Sequence, residues 1–111
     1  MDAFDVVVVG GGPAGEVVAD VPAADAVVMA VTQRPVATAV LEEKAGEAAW
    51  KTIPSWALIA TADRNIPPAA ERWMARRAGS RITEADASHA VAVSRPAVVA
   101  DVILDAARAT R

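Results

Sequence analysis

Trp56-Ala57-Leu58-Ile59-Ala60-Thr61, followed by the polar turn Ala62-Asp63-Arg64-Asn65 and then by Pro67-Pro68, is the stretch whose reading decides the fold. A continuous apolar run of this length suits a strand covered on both faces, as in a parallel sheet. Pro67-Pro68 opens a helix, because a proline in the first turn loses no hydrogen bond. Its apolar positions are Ala70, Trp73, Met74 and Ala78, and Gly79 stands where a C-terminal cap belongs. Arg81–Ala85 then reads as a second short strand, Asp86–Val93 as a loop, and Arg95–Arg108 as a final helix. Val98, Val99, Val102, Ile103, Ala106 and Ala107 form one stripe of that helix. Strand, helix, strand and helix in this order imply parallel strands with helices on the sheet faces.

The same pattern occurs at the start of the chain. Val6-Val7-Val8-Val9 is a β-branched run that ends at Gly10-Gly11-Gly12, and Pro13 fits the first turn of a short helix. From Pro22 a second helical pattern places Ala24, Val27, Val28 and Val31 on one face and fades at Gln33-Arg34-Pro35. Residues 35–54 are irregular, with a short helix around 37–44 and a loop beyond it. The predicted fold is therefore α/β, a single domain of residues 1–111 built on a small three-stranded parallel sheet (about 4–9, 56–61 and 81–85) with helices on both faces, Rossmann-like in its connections.

Composition narrows the functions available. The chain has 111 residues, a net charge of −3 and 54% apolar residues, and its 28 alanines predict a core of small side chains. No basic cluster exceeds Arg76-Arg77, so no nucleic-acid footprint is present. With no cysteine there is no thiolate chemistry, and one histidine argues against a histidine metal site, so no metal is expected. The acidic start Met1-Asp2-Ala3-Phe4-Asp5 and the lack of an apolar run approaching the roughly 20 residues of a membrane span make a cytoplasmic protein without membrane contact the expectation. A sheet this small leaves strand edges open, so self-association through them is expected.

Gly10-Gly11-Gly12-Pro13-Ala14-Gly15 satisfies G-x-G-x-x-G between a strand and a helix. Gly10 permits the tight turn, Gly12 lets a pyrophosphate approach the backbone, and Gly15 lets the helix pack close to the strand. The stretch from Asp5 to Glu16 resembles the start of the flavin-dependent pyridine nucleotide–disulfide oxidoreductases, a resemblance covering about residues 1–18 and implying FAD as cofactor. Past that point no second strand ending in a ribose-binding acid follows the helix, and the redox cysteines of that family are absent. Three glycines also suffice for a tight turn with no ligand.

Asp63 lies in the loop after one strand and His89 in the loop after the next, and in an open parallel sheet that edge collects ligands and catalytic groups. A carboxylate there can hold the tautomer of an imidazole that takes a proton from a nucleophile. Asp86 is a second candidate partner for His89, and Asp63 is also placed to cap the helix that begins near Pro67. Trp50, Trp56 and Trp73 read as core and packing residues, bulk that an alanine-rich interior otherwise lacks.

Residues from about 20 to the end resemble the C-terminal part of an α/β-hydrolase of the bacterial esterase-like group. The likeness is carried by Trp50-Lys51-Thr52-Ile53-Pro54-Ser55-Trp56, by Ala60-Thr61-Ala62-Asp63-Arg64-Asn65-Ile66-Pro67-Pro68, and by Ala87-Ser88-His89-Ala90-Val91-Ala92-Val93-Ser94-Arg95-Pro96. It implies Asp63 as triad acid, His89 as triad base, residues 20–49 as a cap-like helical segment and 50–111 as the end of the core. None of Ser55, Ser80, Ser88 or Ser94 sits in the G-x-S-x-G elbow that carries the nucleophile in such enzymes.

Three functions follow as expectations. The first is a hydrolase-like part that keeps the acid and the histidine but lacks the nucleophile elbow and is not a competent hydrolase alone, with a small-molecule ester as the substrate class it resembles. The second is a dinucleotide module using Gly10, Gly12 and Gly15, and the third a chimeric or structural chain without a ligand. A calorimetric melt separates the second from the others. FAD bound only by the native state at 100 times its dissociation constant would add about 2.7 kcal/mol, and Gly12→Val would weaken that binding. The hydrolase reading expects a transition that FAD leaves in place.

Overall fold

A computed structural model describes residues 20–32, 34–35 and 37–110. Helix α1 (Ala23–Val31) is followed by the single turn α2 (Ala39–Glu42) and a 3₁₀ turn at Ala49–Lys51. Then come strand β1 (Trp56–Ala60), helix α3 (Pro68–Arg77), strand β2 (Arg81–Ala85), the short helix α4 (Val91–Ser94) and the long helix α5 (Pro96–Ala109). β1 and β2 pair in parallel, from Trp56 opposite Arg81 to Ala60 opposite Ala85. The described sheet thus has two strands rather than three. The expected strand at 4–9 and the glycine turn lie outside the described residues.

The pairing continues past both strand ends. Arg81 N–H donates to Ser55 O at 2.9 Å, while Thr61 N–H reaches Ala85 O at 2.8 Å and Ala62 N–H reaches Ala87 O at 3.1 Å. The loops that follow β1 and β2 are therefore laced together where they leave the sheet. At the other end, the Ser55 and Ser80 hydroxyls bond each other at 2.7 Å.

Among the described residues a buried apolar cluster sits at that laced end. Ala60, Ala87 and Val91 form its buried centre, with Leu58, Ala85 and Val99 of α5 packed against them. Val91 belongs to α4, a helical turn inside the stretch expected to be loop. It forms because the chain must turn sharply between His89 and Pro96, and Val91 is drawn into the alanine cluster. Side chains alternate along a strand, so Ile59, 1% exposed, points to the face opposite Leu58 and Ala60.

Helix α3 begins at Pro68 as expected, but it presents a different face. Ala75 is buried and Glu71 and Ala78 are half-buried, whereas Ala70 and Met74 are exposed and Trp73 is 61% exposed. The small Ala75 lets the helix approach β1 closely, and the same rotation brings the Arg72 guanidinium onto Glu84 of β2 in a two-point ion pair at 2.7 and 2.8 Å. The tryptophans consequently do not fill the core. Trp73 stacks on Arg77 at 5.6 Å, and Arg77 also lies 5.9 Å from the Trp50 ring. Helix α1 ends at Thr32, whose hydroxyl donates to Val28 O at 2.7 Å, and none of its residues is buried; Val31 is 76% exposed.

The end of α3 shows how sequence sets a boundary. Ser80 N–H donates to Ala75 O at 2.9 Å and Gly79 N–H to Arg76 O at 3.0 Å, the paired bonds of a Schellman cap. Gly79 has φ +67°, a left-handed conformation in which a Cβ is strained. No neighbouring atom would crowd that Cβ, so the penalty of a side chain is conformational alone. Gly79→Ala is expected to lower stability by about 1 kcal/mol, read as a fall in the midpoint of urea unfolding with an unchanged slope.

Candidate functional site

The laced loops place Asp63 and His89 side by side. Three residues after β1, Asp63 N–H turns back to Ala60 O at 3.2 Å, which points the side chain toward the loop that follows β2. One carboxylate oxygen, Oδ1, accepts the backbone N–H groups of Asn65 at 2.7 Å and Ile66 at 3.0 Å, an Asx-type turn. The other, Oδ2, lies 2.6 Å from His89 Nδ1. Both residues are buried, Asp63 to 6% exposure and His89 to 9%.

Two of the open alternatives are thereby decided. Asp86 is exposed and engages Arg95 through its backbone carbonyl, at 3.3 and 3.4 Å, rather than pairing with His89. Asp63 does not cap α3, whose N-cap position is Pro67 and carries no side-chain capping bond. Its spare oxygen instead closes the turn just ahead of the helix.

The carboxyl groups around the pair are tuned in opposite directions. Burial pushes the Asp63 carboxyl up, but the bond from His89 and the N–H groups of Ile66 and Asn65 together hold it below the usual carboxylate range. Glu71, on α3, is pushed up by burial and by the Asp63 charge, an effect that His89 and Arg72 only partly offset. Its Oε2 is buried without a hydrogen-bond partner.

A third carboxylate, absent from the sequence expectations, supports the histidine loop from behind. Ser88 N–H donates to Asp20 Oδ2 at 3.0 Å and the Ser88 hydroxyl donates to Asp20 Oδ1. Burial raises the Asp20 carboxyl, yet the Ser88 bonds and the nearby Ser94 hydroxyl lower it to about 2. No local pattern announces this contact, since its partners stand 68 residues apart.

Beside the site, between β1 and α3, runs a groove of about 310 Å³ lined by Trp50, Trp56, Leu58, Met74, Ser55 and Glu71 among others. Trp50 and Trp56 thus border open space. Among the described residues no group of three or more His, Asp or Glu side chains is placed to hold a metal ion. No helix among them is long and apolar enough to cross a membrane. Gly10, Gly12 and Gly15 lie outside the described residues.

An acid after one parallel strand and a histidine after the next, in bonding contact at the sheet edge, is an arrangement shared with enzymes whose chain order is acid before histidine. Residues 3–102 match the model of the alpha/beta hydrolase family. The chain belongs to the alpha/beta hydrolase family. The match to this alpha/beta hydrolase model takes in residues 3–18 as well, and nothing in the comparisons supports a flavoprotein origin for them. No curated protein and no solved structure matches the chain.

The site's charges give this hydrolase-family chain a defined acid sensitivity. Asp20 and Asp63 have folded-state values below their unfolded ones, so their contribution is complete above about pH 4 and is lost as pH falls through the folded values. For Asp20 the shift from 3.8 to about 2 is worth roughly 2 kcal/mol. Urea unfolding followed from pH 6 to pH 2 should show stability falling toward the acid end, with a shallower fall in Asp20→Asn.

Proposed function

We propose that this chain carries the acid–base half of a hydrolase site, with Asp63 as the triad acid and His89 as the triad base. The observation that supports the reading is the 2.6 Å contact between Asp63 Oδ2 and His89 Nδ1. In that contact Nδ1 donates its proton to the carboxylate, which leaves the basic lone pair on Nε2. A nucleophile's proton passes to Nε2, and the Asp63 charge, held ionised by its three donors, stabilises the imidazolium that results.

The chain's own serines do not fill the nucleophile's role in this reading. Ser55 and Ser80 bond each other, the Ser88 hydroxyl is committed to Asp20, and the Ser94 hydroxyl is buried near the same carboxylate. None follows the G-x-S-x-G pattern that lifts a serine above the sheet edge. The residual advantage of a triad without its serine, about 10³–10⁴ over water, depends on an intact oxyanion hole and binding site. The proposal is therefore that the chain positions a general base and is not a competent esterase by itself. The glycine turn at Gly10, Gly12 and Gly15, read with the family match that takes it in, is proposed as part of the hydrolase unit rather than as a dinucleotide site.

Turnover of an activated aryl ester by the purified chain should stay at background and be unchanged, within about twofold, in His89→Ala. A loss of tenfold or more in that variant would overturn the reading by revealing a nucleophile within the chain.

A further inference from the structure

The loop that carries His89 has no regular structure between β2 and α4, so beyond the burial of Ala87 its backbone is held by what its polar groups find. Asp63 aligns the imidazole ring, but a bond at the ring's Nδ1 cannot by itself set where the backbone stands. Behind the ring, Asp20 takes both donors of Ser88, the residue immediately before His89, the backbone N–H at 3.0 Å and the hydroxyl. The hydroxyl oxygen then accepts Ala90 N–H at 3.3 Å, on the other side of His89. One carboxylate thus fixes the chain on both flanks of the histidine. Ser88 is buried to 6% and Val21, next to Asp20, to 8%, so water competes poorly for these bonds.

We propose that Asp20 is a positioning residue for His89, clamping its loop through Ser88 so that the imidazole presents Nδ1 to Asp63. The inference rests on the acid–base reading of that pair and extends it to a group 43 positions before Asp63 in the chain. Asp20 touches neither the ring nor a reacting atom. Its effect is on the histidine's tautomer and on how long the Asp63 bond persists. Among the described residues, Asp63 and Glu71 are ionisable groups coupled to His89, and both are left unchanged by the variants below.

Nitrogen and proton NMR of the imidazole reads this directly, because the chain has one histidine and so one imidazole spectrum. In the parent chain the ring should be the Nδ1-protonated tautomer with a protected Nδ1 proton. Asp20→Asn should accelerate exchange of that proton about tenfold and mix the tautomers, while the thermal transition stays cooperative. Asp20→Glu should restore part of the protection. Ser88→Ala, which leaves the Ser88 N–H bond to Asp20 intact, should give an intermediate effect, and it carries the test if Asp20→Asn does not fold. The double variant should add little to Asp20→Asn alone. Unchanged exchange and tautomer in Asp20→Asn, or in Ser88→Ala if the former is unfolded, would overturn the proposal. Ester turnover does not enter this readout, so a failure of the acid–base reading would appear in the His89→Ala assay while the imidazole spectrum still reported on the clamp.

Discussion

Parallel pairing in register between Trp56–Ala60 and Arg81–Ala85 is the constraint on which the site depends. It sets Ala60 level with Ala85, so both strands release their chains at the same edge, and the ladder continues through Thr61 and Ala62 into the loop after β2. An antiparallel pair would send the two loops to opposite ends of the sheet. A slip of one residue would move one loop by about 3.3 Å along the other, more than a hydrogen bond can absorb, and would turn Ile59 from the interior. The contact between Asp63 and His89 is thus a product of register before it is a product of side-chain chemistry.

Burial sets the second condition. A carboxylate removed from water is costly unless donors replace the hydration it loses. Asp63 has three such donors and Asp20 two from Ser88, and both stay in the charged form despite burial. Glu71 has an unpartnered buried oxygen and faces the Asp63 charge, and it moves the other way. The difference lies in which backbone and side-chain donors the fold delivers to each, since the three groups carry the same chemistry. Among the described residues the apolar cluster beside the site is centred on Ala60, Ala87 and Val91, small side chains that each bury little area, and the polar contacts add to what they hold.

Local order accounts for what could be read in advance. The bounds of β2 were legible to the residue, β1 to within one, and the ends of α3 from Pro68 and Gly79, because each depends on neighbours in the chain. The pairing of Asp63 with His89 was legible as a placement, two loops on one edge, though Asp86 competed for the role. The inward face of α3 was not legible. A stripe of Ala70, Trp73, Met74 and Ala78 satisfies helical periodicity as well as Glu71, Ala75 and Ala78 do, and only contact with β1 and the reach of Arg72 to Glu84 choose between them.

By itself, then, the sequence determined an α/β chain, where its second half changes from strand to helix, and that an acid and a histidine follow successive strands. The tertiary structure alone decided that Asp63 rather than Asp86 meets the imidazole, that Val91 starts a helical turn packed on Ala60 and Ala87, and that Asp20 reaches Ser88. The reason is distance along the chain. Turns, caps and strand runs are settled within a few residues, whereas partners 26 and 68 residues apart are settled only when parallel strands and packed loops bring them within hydrogen-bonding range.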